Sequence, residues 1–281
     1  MEGLREILEL AWQALVTSVL AGALLAYVGV FVILRRTVFV GIALSQLAAL
    51  GCSVAFLAEG AAWTGIGALA VLRDHWVMAA TMEFLGILIL TRPERGRLSR
   101  ETRLGLCWAA AGALAVLMVS KSAHGTDELR TLLTGEILFV TDAEFAFVLA
   151  TCVPVGLLLL LWFRRFLLLA FDREMAWSLG LRVPRWELCF FLLLGTLLAV
   201  LIHKCGVLFT VGFLILPGAA ALCVLRSPAA LVLGAGALGG SAALLGFLAS
   251  QLLDLPTGPS QVAVAFVLFV LAWVAGRVRR G

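Results

Sequence analysis

Long apolar stretches follow one another along the chain, each closed by charged or turn-forming residues. They run Leu10–Leu34, Thr37–Ala58, His75–Thr91, Leu104–Ser120, Phe145–Phe163, Leu188–Ile202, Cys205–Leu225, Ser227–Leu253 and Leu255–Gly276. Crossing a hydrocarbon core takes roughly 17–25 mostly apolar residues. The pattern therefore predicts an all-α, polytopic membrane helix bundle of about nine transmembrane helices, eight to ten at the limits. These form a single transmembrane domain over residues 1–281. Only the third stretch is interrupted by a charge, Glu83. Gly60–Leu72 is uncharged but short, and is expected to re-enter or lie at the interface rather than cross.

The segments between these stretches alternate in charge. Arg35 and Arg36, then Arg92 to Arg103, then Arg164 to Arg185, then Arg226, then Arg277 to Arg280 fall on one side. Glu59, then Asp127, Glu128, Glu136, Asp142 and Glu144, then His203 and Lys204, then Asp254 fall on the other. Arginine-rich loops stay in the cytoplasm, which predicts an outer N-terminus, a cytoplasmic C-terminus and residence in the cell (inner) membrane. A full crossing by Gly60–Leu72 would turn every later arginine cluster outward.

Composition agrees with lipid as the solvent. The apolar share is 63% and the charged share 14%, against about 45–50% and about 25% in soluble domains. Mean hydropathy is +1.10. The first residues, Met1 to Glu9, are acidic rather than basic, so the first stretch reads as a retained span and not a secretory signal. The six cysteines lie singly without a CxxC pair, which argues against a disulfide framework or zinc knuckle. Gly41 with Ser45, and Gly236 with Gly240, are spaced to let helices approach closely. Pro217, inside a span, is expected to kink it and is a candidate pathway residue.

Three stretches resemble the permease subunit of zinc/manganese-type ABC importers. The first runs from Gly29 through an apolar run to Arg35 and Arg36, and on through Gly41 to Gly51. The second runs from Gly206 through Pro217 to Ala221, and the third is Asp254-Leu-Pro256-Thr-Gly258-Pro259-Ser260. A fourth, Phe171-Asp172-Arg-Glu174-Met-Ala176-Trp-Ser-Leu-Gly180, is similar to the family's Asp-x-Glu-x-Ala-x-x-x-Gly coupling helix. There Asp172 suits a helix cap, Glu174 its first turn and Gly180 its end. The resemblance implies an alternating-access importer permease for divalent metal ions, with residues 171–183 as the cytoplasmic segment contacting an ATP-binding cassette ATPase. It further implies a homodimer or a pair with a related permease, and an extracytoplasmic substrate-binding protein. No nucleic-acid partner is expected. Neither lysine lies in a GxxxxGK[ST] loop, so no cofactor is expected on this chain and ATP belongs to the partner.

One departure limits the likeness. Where the family carries an aspartate and, one turn on, a histidine as pathway ligands, this chain has Ile42 and Gln46. Isoleucine cannot ligate and a glutamine carbonyl suits zinc poorly, which leaves the metal site unassigned. The candidate pathway residues are Gln46, its neighbour Ser45, Glu83 and Pro217. Asp74, His75, His124, His203 and Cys205 are weaker candidates: solvation near the membrane surface accounts for Asp74, His75 and His203, a solvated loop for His124, and packing for the cysteine. A secondary transporter or channel would show paired intramembrane charges or internal repeats. An intramembrane enzyme would show HExxH or GxSxG, and neither is present. A divergent permease for a non-metal substrate fits the same residues.

Overall fold

A computed structural model describes residues 2–60, 74–90, 99–122, 125–135 and 137–278, and among them it is entirely helical. The helices are α1 (Glu2–Leu34), α2 (Val38–Gly60), α3 (His75–Leu90), α4 (Arg100–Val119), α5 (Gly125–Thr134), α6 (Asp142–Leu161), α7 (Phe163–Phe171), α8 (Arg173–Ser178), α9 (Val183–Val224), α10 (Pro228–Leu253) and α11 (Thr257–Val278). Among the described residues seven helices are long and apolar enough to cross a membrane, not nine. Two features account for the difference. The third apolar stretch forms the shorter α3, of 16 residues, and the sixth and seventh are joined in the 42-residue α9.

Within α9 one residue leaves helical geometry, Gly206, at φ 80° and ψ 162°. That region of backbone space is essentially closed to any residue with a side chain. The turn expected at His203 and Lys204 is thus found at Gly206, and helical geometry runs on through Pro217. Phe190, early in α9, has its ring 6.2 Å from Phe31. Gly218, late in α9, packs against Val30 and Ile33 of that same turn of α1. The two arms of α9 therefore reach the same end of α1, and the chain doubles back at Gly206.

α2 and α3 form a second hairpin. Gly51 packs on the backbone of Met78 and Ala79, and Gly86 meets Leu44 and Leu47. The Phe56 and His75 rings lie 4.5 Å apart at its far end. Residues 61–73 fall outside the described residues, but their two flanks meet at one end of the bundle.

α1 is the central post. Its small residues lie against α10, where Gly239 rests on Gly22 and Ala26, while Gly236 and Gly240 lie over Ala23, Tyr27 and Val19. Such contacts let backbones approach and replace the hydrophobic effect that lipid does not supply. At the arginine end, Phe31 is packed by Tyr27, Phe163, Phe166 and Phe190. Leu106, Trp108 and Leu117 of α4, with Phe266, Leu271 and Val274 of α11, remain exposed. In a protein of this size such surfaces call for lipid or a second chain.

Candidate functional site

The buried acid comes first. Glu83 lies near the middle of α3 with only 1% of its surface exposed. Its carboxylate oxygens find no hydrogen-bonding side chain, and it faces Gly195 of α9. It borders a groove of about 540 Å³ between α3, α6 and α9, lined also by Trp76, Phe84, Phe147, Leu192 and Thr196. Ionisable side chains inside a membrane bundle are rare and face the bundle interior or a cavity, as Glu83 does.

The other candidates are placed differently. Ser45 is fully buried and its hydroxyl donates to the Gly41 carbonyl of its own helix, at 2.9 Å. Gln46 turns toward Gly112 of α4, so α2 presents it to one neighbour while α3 presents Glu83 to another. Pro217 is buried in the second arm of α9. None of the three lines the Glu83 groove. No three His, Cys, Asp or Glu residues come together among the described residues.

The acidic end gathers residues that the sequence left separate. His75 opens α3 and His203 closes the first arm of α9; their rings stack at 4.5 Å and 24°. Trp76 stands between this pair and the groove, 6.0 Å from His203 and 4.2 Å from Phe147. Asp74 caps α3, its Oδ1 accepting from the backbone N–H groups of Trp76 and Val77. That gives it a helix-start role. His124 lies outside the described residues. The signal for the histidine pair was available, since both sit at span ends on one side, but only the antiparallel pairing of α3 with α9 makes them neighbours.

Two of the motif stretches meet here as well. A Cβ on Gly206 would lie 2.6 Å from the Gly135 nitrogen, and one on Gly258 would clash with the Thr134 carbonyl oxygen. Gly135 in turn abuts Cys205. The end of α5, the reversal in α9 and the start of α11 are thus in backbone contact. Asp254 ends α10 in the left-handed conformation, φ 53°, so that Pro256 and Thr257 can open α11.

At the arginine end, α8 is built as its sequence predicts. Asp172 Oδ1 accepts from the Met175 N–H at 2.8 Å. Gly180 at φ 80° lets its own N–H reach Trp177 O and the Leu181 N–H reach Ala176 O, the Schellman closure. Ala176 is fully buried against Leu169 and Val183, which anchors the short helix to α7 and α9. Its opposite face is apolar and open: Trp177 is 77% exposed, Met175 and Leu179 are exposed too. Beside them runs a groove of about 720 Å³ lined by Glu174, Trp177, Gly180, Arg182, Pro184 and Arg185. A large apolar patch rimmed by charge is the usual form of a protein-docking surface.

Residues 7–276 match the ABC 3 transport family. The chain belongs to that family. It is accordingly a multi-pass membrane transport subunit and not an enzyme. Among its relatives is a manganese transport system membrane protein, MntC, of Halalkalibacterium halodurans, 30% identical over 262 residues, covering 93% of this chain and 85% of that protein. The manganese import system permease protein ScaB of Streptococcus gordonii is 26% identical, covering 93% and 89%. Of the solved structures, PsaBC from Streptococcus pneumoniae in complex with Fab superposes with a TM-score of 0.82 at 23% identity, covering 96% of this chain and 95% of that one. That likeness establishes the shared fold. In this ABC 3 chain, Glu83 and the α8 surface are the two features whose chemistry points to work.

Proposed function

We propose that this ABC 3 chain is the permease of an ATP-driven importer for divalent cations of the manganese class. Two copies form the pathway, a separate ATPase docks on α8 from the cytoplasm, and a binding protein delivers cargo from outside. The observation carrying the proposal is Glu83, a buried carboxylate without a side-chain partner beside a groove. A carboxylate is a hard oxygen ligand suited to manganese, and no side chain pairs with it here, so a passing cation would neutralise it. With Ile42 and Gln46 in α2, Glu83 is the carboxylate that meets a cation in this groove among the described residues, which favours a weakly held, hard cation over zinc.

The reading has nine crossings: the seven long helices, α3, and the division of α9 at Gly206. The Phe56 and His75 rings place the end of α2 and the start of α3 at the same end of the bundle. The arginine end is then cytoplasmic, with the C-terminus there.

The test is cation uptake by the chain reconstituted with its partner ATPase. Uptake should need ATP, prefer manganese to zinc, and fall at least tenfold in Glu83→Gln, the loss of one charge-assisted contact of about 1.5–3 kcal/mol. Wild-type uptake in Glu83→Gln would remove the pathway role. ATP-independent uptake would favour a secondary transporter.

A further inference from the structure

Glu187, early in α9, divides its carboxylate between two arginines from different parts of the chain. Oε1 accepts from Arg35 at 2.7 Å and Oε2 accepts from Arg173 at 3.2 Å. The two partners differ in setting. The Arg35 side chain is only 7% exposed, and its guanidinium lies over the Phe190 and Phe191 rings at 5.2 and 5.4 Å. Arg173 is the first residue of α8 and its side chain is 63% exposed.

This asymmetry has an energetic consequence. A shielded ion pair with stacked aromatic faces is held firmly, whereas an exposed pair contributes little. The Arg35 side is therefore fixed and the Arg173 side is releasable. Arg35 also stands at a corner. α1 ends at Leu34, Arg36 turns in the left-handed conformation at φ 54°, and α2 begins at Val38. Thr37 N–H donates back to Val32 O at 2.9 Å, which stiffens that corner. Displacing Arg35 thus displaces the start of α2, the helix bearing Ile42 and Gln46.

We infer that Glu187 is a positioning residue for transport, a carboxylate relay that ties movement of α8 to the α1–α2 corner. When α8 shifts, Arg173 draws on or releases Glu187, and Glu187 carries the change to Arg35. The inference rests on the reading of α8 as the ATPase contact. It adds a defined route from that contact into the membrane bundle. Neither the length of the spans nor the capping of α8 requires Glu187 to hold two arginines at once.

The experiment uses the permease reconstituted with its partner ATPase and measures manganese moved per ATP hydrolysed. In Glu187→Gln the complex should still assemble and hydrolyse ATP, while the ratio falls roughly two- to fivefold, the change an exposed ion pair can carry. Glu187→Asp keeps the charge beside Arg35 but is one methylene too short to span both arginines. It should lower the ratio similarly, and it tests the relay even where Glu187→Gln fails to fold. A wild-type ratio in Glu187→Asp overturns the inference. Loss of the ATPase from either variant also overturns it, by making Glu187 part of the docking surface. Absence of ATP-dependent transport in the wild type would instead sink the proposed function itself.

Discussion

Lys204 places its Nζ 2.6 Å from Glu144 Oε1, and Glu144 is the same residue that caps α6. Its Oε2 accepts from the Thr141 N–H at 3.0 Å, while its own N–H donates to Thr141 Oγ1. One acid thus starts a span and neutralises a lysine whose side chain is 6% exposed beside the α9 reversal. Removing the acid alone strands the lysine. Glu144→Ala should destabilise the purified protein by about 2–4 kcal/mol. Lys204→Met keeps the apolar stem and removes the charge, and should cost under about 1 kcal/mol. Thermal unfolding in detergent compares the two; equal losses would mean the pair is not electrostatically coupled.

The meeting of Gly135, Gly206 and Gly258 sets a second expectation. Any side chain on Gly206 must adopt a forbidden backbone conformation and displace the α5 backbone. Gly206→Ala and Gly258→Ala should each lower folded yield several-fold, through losses of at least about 3 kcal/mol. Gly105 in α4 is the control, because nothing lies within 4 Å of where its Cβ would stand. Gly105→Ala should be neutral or stabilise by about 0.5–1 kcal/mol. Fluorescence-detected size exclusion of the three variants side by side gives the comparison, and a normal profile for Gly206→Ala would refute the reversal at that residue.

The helical class, the bounds of most spans and the capping of α8 were legible because each follows from local rules. Asp172 and Gly180 announce a short helix whatever surrounds it, and apolar length announces a span. The division of α9 is legible too, from His203 and Lys204 between two apolar stretches. That Gly206 carries it, against the backbone of α5, is not, because no single stretch of sequence records that contact. The same limit hid the His75–His203 stack and the two-armed role of Glu187, both of which depend on helices distant in sequence. Glu83 was legible as an anomaly, a charge in an apolar run. Its separation from Gln46 was not, since helix rotation is set by packing against α4 and α9.

Topology gives a third expectation. In a cysteine-free background, Asp74→Cys and Asp127→Cys should react with a membrane-impermeant thiol reagent added outside intact cells, as both positions are exposed at the acidic end. Arg164→Cys, exposed at the opposite end, should react only after permeabilisation. Labelling of Asp74→Cys only after permeabilisation, with Arg164→Cys labelled from outside and Arg36→Cys, exposed before α2, labelled only after permeabilisation, would mean that residues 61–73 cross.

The positions of Ile42 and Gln46 allow a gain-of-function test. They lie one turn apart on α2, so side chains there share a face. Ile42→Asp together with Gln46→His should create a two-ligand cation site on this chain. Because Gln46 faces Gly112 of α4, the new pair would stand apart from Glu83 and bind independently of it. Calorimetric titration of the purified double variant should therefore show manganese or zinc affinity at least tenfold above wild type, about 1.4 kcal/mol. The gain should persist when Glu83→Gln is added. If the gain vanishes with Glu83→Gln, the three residues share one site, and α2 and α3 must rotate toward each other in the cation-bound state.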